Sequence, residues 1–127
     1  MHLHHIALWT NRLEELRAFY LRYFGGTSGE KYVNPTKGFE SYFLHFDDGC
    51  RLELMRRRDI AGRNSAERLG LCHLAFGCGS REEVLALTER LRTEGHPIVG
   101  EPRTSGDGYF ESVVEDPDGN RVEIVYK

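Results

Sequence analysis

Asp116-Pro117-Asp118-Gly119-Asn120-Arg121-Val122-Glu123-Ile124-Val125-Tyr126 reads as a tight turn feeding a β-strand. Asp-Pro and Asp-Gly favour a turn, and Gly119 can take the positive φ that closes a hairpin. One carboxylate, Glu123, stands between Val122 and Ile124. A charge there makes sense only if its side of the strand is not the hydrophobic one. The same pattern occurs earlier as Asp48-Gly49-Cys50-Arg51-Leu52-Glu53-Leu54-Met55. One strand, written twice with a carboxylate in its middle, points to a chain built twice.

The preceding segments repeat in the same order. Leu3 to Trp9 alternates as a strand, with Ile6 and Leu8 on one face and His5, Ala7 and Trp9 on the other. Asn11, with Glu14 three residues on, predicts a capped helix start. Leu13, Leu16, Phe19, Tyr20, Tyr23 and Phe24 form its apolar stripe, and Gly25-Gly26 ends it. A short strand near Glu30–Val33, a loop at 34–38, a strand at Phe39–Phe46 and the hairpin strand Arg51–Arg56 follow. The order then restarts. Leu71–Cys78 is a strand, and Ser80 with Glu83 opens a helix striped by Val84, Leu87 and Leu91. Pro97–Val99 is a short edge strand, 100–108 a loop, and Tyr109–Glu115 the strand before the final hairpin.

The chain therefore reads as α+β, two tandem β-α-β-β-β modules at 1–56 and 71–127 within one domain of 127 residues. A polar linker, 57–70, joins them. His5 recurs as His73 at an offset of 68, and Glu53 as Glu123 at an offset of 70. Two copies are too few for an array, so a pseudo-symmetric pair is expected.

The formal charge of −3 and pI near 6.1 give no electrostatic case for nucleic acid. No apolar run approaches the roughly 18 residues that span a bilayer. The start of the chain lacks a basic region followed by an apolar stretch, so no secretory signal is expected. Cys50, Cys72 and Cys78 have no CxxC spacing, which fits reduced thiols in a cytoplasmic protein.

Strand alternation puts His5, Glu53, His73 and Glu123 on the helix-free faces. If the two halves face one another, two imidazoles and two carboxylates converge, a donor set suited to one divalent transition metal: Zn, Ni, Co, Mn or Fe. Such a site leaves positions for a substrate with two neighbouring oxygens, and a carboxylate beside it can act as a general base. His2, His4, His45 and His96 have no counterpart in the other half and read as structural or surface residues.

On His5 in HIALW, Glu53 in RLELM, His73 in CHLAF and Glu123 in DPDGNRVEIV, the whole chain resembles the vicinal oxygen chelate superfamily. That group holds glyoxalase I, fosfomycin-resistance enzymes, extradiol dioxygenases and bleomycin-resistance proteins. The order His-Glu-His-Glu is similar to the glyoxalase I ligand set. The resemblance implies a cupped mixed sheet around the metal, a homodimer and a metal-dependent lyase. Glu123 and Glu53 are then the catalytic carboxylates, acting by proton transfer on a small substrate with vicinal oxygens, such as a thiol hemithioacetal. Trp9, Ser41, Phe43, Arg57, Tyr109 and Glu111 are the expected substrate-binding residues. The resemblance stops short of the glutathione positions: Trp9 stands where glutathione-dependent glyoxalases usually carry Arg, and Arg57 where they carry Asn. Two other readings are a non-catalytic small-molecule binding or resistance protein, and a thiol transferase or dioxygenase using the same metal.

Overall fold

Strand β1 (Ile6–Trp9) runs parallel to β5 (Arg51–Arg57), and β4 (Phe39–His45) runs antiparallel along the other side of β5. Two short strands, β2 (Thr27–Ser28) and β3 (Tyr32–Asn34), both pair with β4. Helix α1 (Leu13–Phe24) packs on β4 and β5, burying Leu13, Leu16, Phe19, Tyr20 and Tyr23, while the sheet buries Leu44, Leu52 and Leu54. These elements lie in the first of two compact units, Met1–Asn64 and Ser65–Lys127. The structure, a computed structural model, describes residues 1–62 and 69–127.

In the second unit β6 (His73–Gly77) runs parallel to β9 (Arg121–Tyr126). Next to β9 lies β8 (Phe110–Glu115), then β7 (Ile98–Thr104), giving the order β6-β9-β8-β7. Helix α2 (Arg81–Thr93) covers this sheet and buries Val84, Thr88 and Leu91, and the strands bury Val114, Val122 and Ile124. Thr88 donates its hydroxyl to the Val84 carbonyl at 2.6 Å, and its Oγ1 lies 2.7 Å from the buried Ser112 Oγ. Both units thus follow β-α-β-β-β within a mixed α+β fold, and the described strands group into two sheets, one per unit. Among the described residues, neither helix is long and apolar enough to cross a membrane.

The final turn is held by one side chain. Asp116, almost fully buried, accepts from the backbone N–H groups of Asp118 and Asn120 and from the Asn120 amide at 2.8 to 2.9 Å. Gly119 takes φ 75°, as the turn requires.

Several element boundaries differ from the sequence reading. Strand β1 begins at Ile6 rather than Leu3, because pairing with β5 starts at Ile6 opposite Leu52. Asn11 does not cap α1. Arg12 holds the cap position with no side-chain bond, Thr10 accepts from the Arg12 N–H at 2.8 Å, and Glu14 is drawn instead to Lys31 and Tyr42. Ser80 caps α2 as expected, accepting from the Glu83 N–H at 3.2 Å. The edge strand β7 runs on to Thr104, through most of the expected 100–108 loop. Register shifts on either side of Gly100 let it continue past Pro102. Of the expected linker, Arg57 belongs to β5, and residues 63–68 lie outside the described residues.

Candidate functional site

On β5, Leu52 and Leu54 point to α1, so Arg51, Glu53, Met55 and Arg57 point away from it. The register puts Ala7 and Phe43 on either side of Glu53, and Trp9 and Ser41 on either side of Met55. His5 precedes β1 by one residue and reaches Glu53 diagonally: its Nε2 lies 3.6 Å from Glu53 Oε2. The second unit repeats this geometry. His73 pairs with Arg121, Ala75 pairs with Glu123, and His73 Nε2 lies 3.4 Å from Glu123 Oε2. The Glu53 and Glu123 side chains are 15% and 19% exposed, so both are largely withdrawn from water yet reachable.

Two donors sharing one ion at about 2.1 Å stand about 3.0 to 3.4 Å apart, depending on the bond angle. The two observed gaps, through the same pair of atoms in each unit, lie at or just beyond that range. Imidazole nitrogen beside carboxylate oxygen is also the donor chemistry that Zn, Ni, Co, Mn and Fe accept. Each pair therefore offers two donors that such an ion accepts. Among the described residues, no group of three or more His, Cys, Asp or Glu stands together as a metal-binding cluster.

Around Glu53 the helix-free face is largely aromatic. Phe43 meets His5 edge to face with ring centroids 5.3 Å apart, and Phe39 meets Trp9 at 6.2 Å. The Arg57 guanidinium lies 5.1 Å above the Trp9 ring and makes a two-pronged ion pair with Asp59 at 2.5 and 3.1 Å. Ser41 shares this face and is buried. In the second unit Val113 lies opposite Glu123. Glu111, on the same face, is buried and paired with Arg103 at 3.1 Å. Tyr109 precedes β8, and Lys127 sits 4.4 Å over its ring.

The structure thus joins His5 with Glu53 and Phe43, His73 with Glu123, and Trp9 with Arg57. It occupies Glu111 and Tyr109 with partners the sequence did not suggest, Arg103 and Lys127. It also gives His4 a place. His4 Nδ1 lies 2.8 Å from His5 Nδ1, and the Arg51 guanidinium donates to His4 Nε2. The Arg51 charge holds the His4 pKa below its ordinary value. The repeat offers His4 no counterpart, Cys72 standing in its position; its place next to His5 is the sequence signal that points to it.

Comparison with known proteins agrees with this fold. The chain is 28% identical to the uncharacterized protein YqjT of Bacillus subtilis (strain 168), over 97% of each chain. Its fold is similar to that of a glyoxalase family protein from Enterococcus faecalis, with 26% identity, TM-score 0.80, and 98% of this chain and 96% of that one covered. It is also similar to glyoxalase I from Zea mays, with 22% identity and TM-score 0.81. There it covers 98% of this chain but spans only 44% of the maize chain. Residues 2–124 match the model of one family, whose glyoxalase members share the fold described above. With the doubled module, its paired His and Glu and that match in hand, the chain belongs to the Glyoxalase/Bleomycin resistance protein/Dioxygenase superfamily.

Proposed function

We propose that this protein is a metal-dependent lyase of the glyoxalase I type, acting by proton transfer on a small substrate with two adjacent oxygens, such as a thiol hemithioacetal. The observation that carries the reading is the repeated pair: His5 with Glu53 at 3.6 Å and His73 with Glu123 at 3.4 Å, on the helix-free face of each sheet. In this reading all four residues hold one divalent transition metal. When bound, such an ion supplies Lewis-acid stabilisation of an oxyanion on the substrate.

The chain's own groups do the rest. Glu123 or Glu53 takes the proton from the carbon beside the carbonyl and returns it to the neighbouring carbon, so the step is an isomerisation with no net loss of a proton. Phe43 and Trp9 line the first unit's face beside Glu53 and exclude water from an apolar substrate body. The Ser41 hydroxyl offers a polar contact on that face. Arg57 meets an anionic tail by exchanging Asp59 for it, and Tyr109 and Glu111 contact the substrate from the second unit. Trp9 and Arg57 replace the residues that serve glutathione in the resembling enzymes, so a different thiol is favoured. We place the enzyme in the cytoplasm as a homodimer.

Elemental analysis of protein purified without a metal-affinity tag tests the donor set. The expected content is about one divalent metal per four-residue site, lost in a His5→Ala, Glu123→Gln double variant. A protein that takes up no Zn, Ni or Co would refute the reading. On a turned-over hemithioacetal, Glu123→Gln alone is expected to lower kcat by about 100-fold or more.

A further inference from the structure

We infer that the first unit's face selects a substrate whose adjacent oxygens are carried next to a hydroxyaryl ring, and that Ser41, with the rings of Tyr32, Phe39 and Trp9, forms the specificity-determining subsite. The place of the two oxygens rests on the function proposed above. The ring-binding subsite rests on its own geometry.

One register row crosses this face. Tyr32 on β3 lies opposite Ser41 on β4, Ser41 opposite Met55 on β5, and Met55 opposite Trp9 on β1. Phe39 and Phe43 stand two residues on either side of Ser41 and share its face. Phe39 closes the rim, its ring centroid 6.2 Å from that of Trp9 and 6.0 Å from that of Tyr32. The floor is closed and the rim is open: Ser41 is 3% exposed, Trp9 40% and Tyr32 55%. A serine set among such large side chains leaves a depression. Its hydroxyl makes no hydrogen bond among the described residues, although a buried polar group ordinarily has a partner. The second unit is built differently. Gly77 stands in the place of Trp9 and Val125 in that of Met55, while Glu111, the counterpart of Ser41, is already paired with Arg103.

Rings at the rim favour a further ring, packed edge to face or offset. Met55, unbranched and polarisable, adapts beneath it. No side chain of this row carries a charge, so the body it takes is neutral. A serine hydroxyl both donates and accepts, as a phenol does, so an aryl hydroxyl answers it in either direction. Ser41 is the diagonal neighbour of Glu53 across β4 and β5, about 7 to 8 Å away. A ring carried directly on the carbon beside Glu53 extends along that diagonal and brings its para position to Ser41.

Calorimetric titration of the zinc-supplemented protein with three α-hydroxyketones tests this: hydroxyacetone, phenacyl alcohol and the para-hydroxy derivative of phenacyl alcohol. Phenacyl alcohol should bind about 30-fold tighter than hydroxyacetone, for the added buried ring. The para-hydroxy derivative should bind about 10-fold tighter again, for the hydroxyl pair. Ser41→Ala should erase the second step and keep the first. Tyr32→Ala, at an exposed position, should shrink the first step about 5-fold and leave hydroxyacetone unchanged. Equal affinities for the three ketones, or no binding by any of them, would overturn the proposal. So would a para-hydroxy preference that survives Ser41→Ala, or an aryl preference untouched by Tyr32→Ala. Affinities that stay the same when zinc is stripped would refute the metal reading above, while the ranking of the ketones still decides the role of Ser41.

Discussion

The buried hydroxyl pair of the second unit allows a worked prediction. Thr88 uses its single hydroxyl proton on the Val84 carbonyl, so the proton between Thr88 and Ser112 must come from Ser112. Thr88→Val keeps the shape of the side chain and removes that acceptor. Ser112 is fully buried, so its hydroxyl cannot turn to water, and the variant bears the desolvation cost of an unpaired donor, about 2 kcal/mol. Ser112→Ala leaves Thr88 bonded to Val84 and forfeits one ordinary hydrogen bond, about 1 kcal/mol. Removing both hydroxyls leaves nothing unpaired, so the double variant should cost about 1 to 1.5 kcal/mol rather than the sum of about 3. Urea unfolding measures this. With a slope of about 2 kcal/mol/M, Thr88→Val should lower the midpoint by about 1 M and the double variant by less, with unchanged slopes. Additivity within about 0.5 kcal/mol would refute the assigned proton direction and the claim that Ser112 depends on Thr88.

Gly100 lies where a Cβ would fall 3.0 Å from two carbons of Val113, so Gly100→Ala should cost about 1 to 3 kcal/mol, and Val113→Ala in the same chain should recover part of it. The Glu14 carboxyl is held below its ordinary pKa, first by the Lys31 hydrogen bond. A depressed carboxyl stabilises the fold above its unfolded pKa, and that contribution is lost as pH falls through the folded value. Glu14→Gln should therefore flatten the acid limb of a Tm-against-pH curve below about pH 4.5.

The paired strands were readable because alternation is a local property. Val122, Glu123 and Ile124 state which side faces the helix without reference to anything distant, and the earlier copy at Leu52, Glu53 and Leu54 states it again. His73 and Glu123 stand in paired strands, while His5 lies one residue before β1 and still comes within 3.6 Å of Glu53. What was illegible depended on residues far along the chain. Asn11 and Glu14 have the spacing of a capping box, but Lys31 and Tyr42 claim the Glu14 carboxylate, and neither is near it in sequence. Strand β7 was under-read because Gly100 and Pro102 resemble loop residues until the pairing with β8 is known. His4 escaped because the argument from repetition keeps only residues that occur twice.

Trp9 is the only tryptophan in the chain, 40% exposed, with a cation resting on its ring and the edge of Phe39 against it. Its emission therefore comes from one known spot on the Glu53 face. Anything that lifts Arg57 from the indole, or settles between the two, alters both the polarity and the quenching of that single fluorophore. The protein carries its own optical reporter, and compound libraries can be screened against unlabelled material before any substrate has been identified.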